Sequence, residues 1–114
     1  MSDNLQKIKK LAANVRENPE DSFLKFALAL ELLKNNQDRK ALLLFESVYK
    51  NHPDYLGVYY HLGKLYESLE NYERAEQLFT EGIRVAQRQD KDRTEKELNE
   101  ALEALKEDRN HETR

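Results

Sequence analysis

Residues 59–79 read YYHLGKLYESLENYERAEQLF, and the spacing within this stretch decides the fold. Tyr59, Leu62, Gly63 and Tyr66 recur at three- and four-residue steps, the period of one face of an α-helix. After Glu70-Asn71 the same period resumes through Ala75, Leu78 and Phe79. Short polar side chains such as Asn compete with helical hydrogen bonds and suit helix caps, so the break predicts two helices joined by a tight turn. The unit is a helix hairpin.

Working outward, the unit has a counterpart. Pro19 and Pro53 stand 34 residues apart, each in a helix-breaking phrase, Glu17-Asn18-Pro19-Glu20-Asp21 and Asn51-His52-Pro53-Asp54-Tyr55. A shift of 34 superposes Leu28 on Leu62, Ala29 on Gly63, Leu32 on Tyr66, Ala41 on Ala75, Leu44 on Leu78 and Phe45 on Phe79. The matching positions are small or apolar, as packing between repeated layers requires. Asn35-Asn36-Gln37-Asp38 is the corresponding mid-unit break.

The flanks extend the pattern. Leu5, Ile8, Leu11, Ala12 and Val15 form a stripe in phase with a second helix of a unit, so residues 1–17 read as a half-repeat. Repeat 1 covers 20–53 and repeat 2 covers 54–89. Gln87 stands where the period would place a third proline, which lets the second helix of repeat 2 run on. Leu98, Ala101, Leu102 and Leu105 define a closing helix over 93–108, with Thr94 and Glu97 fitting a capping box, and 109–114 reads as a disordered tail. Six helices in one domain, 1–114, supply about the three stacked layers that such arrays need.

The second unit, Tyr59-x2-Leu62-Gly63-x2-Tyr66 then Ala75-x3-Phe79, resembles the tetratricopeptide repeat. The first, Leu28-Ala29-x2-Leu32, Ala41-x3-Phe45 and Pro53, is similar but looser, with Lys25 in the leading aromatic slot and Ala29 in the glycine slot. The resemblance implies an all-α array of helical hairpins wound as a right-handed superhelix, with the first helix of each pair lining a concave groove where relatives hold peptides. Carried onto this chain, the groove would present Phe23, Phe26, Leu30 and Leu33 from the first repeat, and Tyr60, Lys64 and Glu67, with His61 beside them, from the second.

The first helix of repeat 1 is apolar nearly all round from Phe23 to Leu33, more than one core stripe requires. Two readings stand side by side: the surplus is buried between neighbouring helices, or it is an exposed patch that marks a binding site. Some members of the family clamp acidic C-terminal tails with Lys, Asn and Arg side chains across the groove. Here Phe26 and Leu30 occupy that stripe, so chaperone-type acidic tails are expected to bind weakly or not at all.

Composition narrows the function further. The net charge of −3 mixes both signs, which offers no strong field to nucleic acid or an anionic membrane. There is no cysteine, hence no disulfide, thiolate metal site or cysteine nucleophile. No signal-like or spanning apolar run is visible, and a cytoplasmic location is the default expectation. No phosphate-binding glycine loop, serine nucleophile elbow or zinc-binding His pair occurs, so no catalytic, metal or cofactor site is assigned. The leading reading is a protein-interaction adaptor that holds a segment of another protein. The alternative is a self-associating module, a possible homodimer in which the terminal helix reaches a second copy. A small enzyme built on His61 is the weakest of the three.

Overall fold

The computed structural model describes residues 2–112, with side chains described from Asn4 to Asn110. Among the described residues there are six α-helices: α1 (Ser2–Glu17), α2 (Ser22–Lys34), α3 (Asp38–Asn51), α4 (Gly57–Ser68), α5 (Tyr72–Arg88) and α6 (Asp92–Glu112). They gather into two compact units, Met1–Tyr55 and Leu56–Arg114, where the sequence reads as one domain. In helical-repeat chains each layer touches only its neighbours, so a single undivided core is not required.

In the first unit α2 and α3 form the hairpin and α1 packs on α2. Leu28, Ala29, Leu32, Ala41, Phe45 and Val48 are buried. Asp21 caps α2 by accepting the Leu24 N–H at 3.1 Å. At the far end of the hairpin Ser22 Oγ and His52 Nδ1 share a 2.5 Å hydrogen bond, tying the start of α2 to the end of α3. His52, part of the helix-breaking phrase before Pro53, thus has a side-chain partner while the residue itself stays exposed. Lys25, in the slot where repeat 2 has Tyr59, donates to Ser47 Oγ at 3.0 Å.

In the second unit α4 and α5 form the hairpin and α6 packs along α5. Val58, Tyr59, Leu62, Leu65, Ala75, Leu78, Phe79, Val85 and Ala86 are buried, and Leu98 and Leu105 of α6 join them. The close approach of α4 to α5 depends on two glycines: a Cβ on Gly63 would meet the Phe79 ring, and one on Gly82 would lie 2.6 Å from Tyr59 Cβ.

Three helix ends share one device. The C-terminal turns of α2, α4 and α5 close with Asn36, Glu70 and Asp90 in the left-handed region, at φ of 59°, 61° and 56°. After α4 the Glu70 N–H donates to Glu67 O and the Asn71 N–H to Tyr66 O, each at 2.9 Å, the two-bond Schellman pattern that satisfies the last carbonyls. Glycine is the usual residue there, because a Cβ in that conformation costs about 1–2 kcal/mol. Glu70→Gly should stabilise the chain by about 0.5–1 kcal/mol once the extra freedom of glycine in the unfolded chain is deducted. A lower urea midpoint for Glu70→Gly than for the parent chain would contradict this.

Several boundaries differ from the sequence reading. The second helix of repeat 2 does run on: α5 has 17 residues against 14 in α3, consistent with Gln87 in place of proline. The closing helix begins at Asp92, and Lys91 O accepts the Glu95 N–H. Thr94 and Glu97 therefore lie inside α6 and form no capping box. The same helix continues to Glu112, not 108, so the expected tail is helical over 109–112; the remainder of that expectation, 113–114, lies outside the described residues. Arg109 supports the extension by donating from Nη1 to Glu76 Oε1 of α5 at 2.6 Å.

Candidate functional site

On α2 the four residues expected along one groove-facing stripe, Phe23, Phe26, Leu30 and Leu33, divide between packing and surface. Phe26 turns its ring into the hairpin, edge-on to Phe45 at 5.6 Å and tilted against Tyr55 at 5.0 Å. Leu33 is half-buried. Phe23 is 67 % exposed, and half-buried Leu30 lines a cleft against α1. Phe26, Leu30 and Leu33 are thus half-buried against neighbouring side chains, and Phe23 is the exposed member of the four.

In the second unit Tyr60, His61 and Lys64 come together along α4 and face α6 across an open cleft of about 580 Å3. The α6 side carries Glu97, Glu100, Ala101 and Ala104. Tyr60, 39 % exposed, is held by the His61 ring, edge-on at 5.5 Å, and by Phe79 at 6.5 Å. Lys64 Nζ lies 3.3 Å from Glu67 Oε1, so Glu67 steadies Lys64 one turn further along. With about half of the lysine side chain exposed, such a pair orients more than it stabilises.

Burial pushes the His61 imidazole below its ordinary value of 6.5, because a charged ring loses hydration there. The unfolded chain takes up this proton near pH 6.5, while the folded chain resists it to lower pH. The stability His61 contributes is therefore present above that pH and is lost as pH falls through the depressed folded value. Acidification from pH 7.5 to 5 should lower the urea midpoint, and His61→Gln should shrink that drop. An unchanged drop in the variant would remove His61 as its source.

The α6 wall was missed in the sequence, where that helix was read as a lid on the last repeat. The signal is a second stripe, Glu97, Ala101 and Ala104, at four- and three-residue steps beside the core stripe of Leu98 and Leu105. A separate cleft of about 520 Å3 between α5 and α6 is lined by both signs of charge, Glu73, Arg74, Glu76, Glu81, Arg84 and Arg109 among them. No group of three or more His, Asp or Glu residues that could hold a metal ion occurs among the described residues. None of the described helices is long and apolar enough to cross a membrane.

A pair of helix hairpins, α2–α3 and α4–α5, flanked by the helices α1 and α6, defines an all-α helical-repeat protein. The tetratricopeptide-repeat family profile matches residues 22–88, and the chain belongs to that family. A crystal structure of a tetratricopeptide-repeat domain protein from Salinibacter ruber is similar at 41% identity and a TM-score of 0.73, covering 75% of this chain and 97% of that one. The TPR2B domain of yeast Sti1, solved as a complex with pHsp70, superposes with a TM-score of 0.85 at 14% identity, over 94% of this chain and 86% of that one; that likeness is one of fold. Among curated proteins no sequence matches the chain. The family's fold is generally a protein–protein interaction module.

Proposed function

We infer that the chain is a cytoplasmic adaptor, not an enzyme, which holds a peptide or helical segment of another protein in the cleft between α4 and α6. The observation that carries this reading is the make-up of that cleft. Ala101 and Ala104 leave room for a backbone to approach α6, and the half-exposed Tyr60 offers a rigid aromatic edge of the kind that anchors interfaces. Lys64 on one wall and Glu97 and Glu100 on the other give the bound segment a direction. Two carboxylates on the rim also oppose an acidic tail, in line with the weak binding of such tails expected from the sequence. The yeast Sti1 domain of the same fold holds pHsp70, which supports a segment-binding role for this architecture.

Self-association through α6 has less support. Leu98 and Leu105 are both fully buried, which favours α6 as a lid on its own chain over a helix lent to a second copy. The test is binding by calorimetry, using peptides of defined sequence selected on the full chain from a random display library. Tyr60→Ala should weaken the selected peptides at least tenfold while circular dichroism stays unchanged. Equal affinity in the folded variant would remove this cleft as the site.

A further inference from the structure

The first unit carries a second cleft, between α1 and α2, that the α4–α6 reading does not use. It encloses about 340 Å3 and is lined by Lys7, Lys10, Leu11 and Asn14 of α1 and by Ala27, Leu30, Glu31 and Lys34 of α2. On each helix the lining positions follow three- and four-residue steps, so two parallel ridges flank a trough. The floor is Leu11, Ala27 and Leu30; the lysines form the rim. Phe23, four residues before Ala27 on the same face of α2 and 67 % exposed, prolongs the apolar floor.

Charge indicates what could lie there. Within the cleft Glu31 is already engaged: Lys34 Nζ lies 3.3 Å from Glu31 Oε2, and Asn4 Nδ2 donates to Glu31 Oε1 at 2.7 Å. Burial works to raise the Glu31 pKa, but the hydrogen bonds from Lys34 and Asn4 and the charges of Lys34 and Lys7 outweigh it, so the carboxylate stays ionised. Glu31 offsets Lys34. Lys7 and Lys10, both exposed, leave the α1 rim positive above an apolar floor. A trough between two helix ridges, with an apolar floor and a positive rim, suits a third helix whose apolar ridge covers the floor and whose flanks meet the rim.

We propose that the α1–α2 cleft is a second docking site, for an amphipathic helix of a partner protein whose apolar ridge is flanked by acidic residues. A second copy of this chain fits less well, because the apolar residues Leu98 and Leu105 of its own acidic helix α6 are already buried. The acidic flanks set the direction of encounter and the choice of partner, and the contact with Phe23 and Leu30 supplies most of the hold.

The test uses the full chain and a display library of stapled amphipathic helices, with leucine on one face and Glu, Lys or Gln varied at the flanking positions. Selection should enrich Glu at the flanks. The enriched helices should bind the Phe23→Ala/Lys7→Glu/Lys10→Glu variant at least tenfold more weakly, with affinity falling as salt rises and with amide shifts confined to α1 and α2. All three substituted side chains are exposed, so an unchanged urea midpoint will show that the variant is folded. Enrichment of Lys, no flank preference, no enriched helix, or equal binding to the variant would each overturn the proposal. So would anionic vesicles that pellet the parent chain but not the variant, which would make the rim a lipid surface. Light scattering that shows a dimer dissolved by the same variant would replace the foreign helix by a second copy and equally overturn it.

Discussion

Phe79→Ala is expected to destabilise the second unit by about 3–5 kcal/mol, the usual range for truncating a buried aromatic. The ring is fully buried, fills the space above Gly63, and packs against Tyr60 at 6.5 Å. Removing it forfeits apolar burial and leaves a cavity between α4 and α5, which meet there at glycine and cannot swing new side-chain volume into the gap. A domain of this size has a net stability of only about 5–15 kcal/mol, so the loss is a large fraction of the whole. Phe23→Ala serves as the control: with 67 % of the side chain already exposed, it should change stability by no more than about 0.5 kcal/mol. Urea unfolding followed by far-ultraviolet circular dichroism measures both, and a loss below about 1.5 kcal/mol for Phe79→Ala would contradict the packing described.

Gly82→Ala should also destabilise, against the simplest expectation for a helix. In an exposed helix interior, alanine in place of glycine gains about 1 kcal/mol. At Gly82 of α5, however, the new Cβ would stand 2.6 Å from Tyr59 Cβ and 3.1 Å from Leu98 Cδ1. The leucine methyl can move; Tyr59 Cβ is fixed to the backbone of α4, and its side chain is fully buried. Relief therefore requires α4 and α5 to separate, and overpacking of this type typically costs about 1–3 kcal/mol, occasionally more. The net outcome is a lower urea midpoint. A raised midpoint would mean that the two helices are not held together as closely as the structure places them.

The hairpins were legible because their determinants are local in spacing. The 34-residue shift that pairs Ala29 with Gly63 and Phe45 with Phe79 records which positions must be small and which must fill the gap, and all four are buried. Helix ends were legible where polar residues mark them, as at Asn35-Asn36 and Asn71. The left-handed turn at Glu70 carries no such mark, since glycine and asparagine are its usual signals. Thr94 and Glu97 show the opposite error: they satisfy a capping pattern, yet the helix starts earlier and they take ordinary interior positions.

The site was less legible than the fold. Which face of a helix stays open depends on neighbours that spacing alone does not place, and so the sequence leaves burial and exposure of the α2 stripe as alternatives, whereas in the structure Phe26 packs on Phe45 and Tyr55 and Phe23 is exposed. The sequence puts Tyr60, His61 and Lys64 on one helix, and the structure brings the three to one cleft. Their opposite wall on α6 lay outside the family motif, and the alanines that form it look like ordinary helix formers. In both units a flanking helix supplies half of a cleft, which a reading centred on the repeats alone passes over.

The most direct measurement of segment binding is an amide-shift titration of the uniformly 15N-labelled full chain with a peptide selected by display. Shifts concentrated at Tyr60, His61 and Lys64 of α4 and at Glu97, Ala101 and Ala104 of α6 are the expected result. Saturable binding whose shifts avoid both walls of that cleft, and fall instead on the charged cleft between α5 and α6 or on α3, would contradict it.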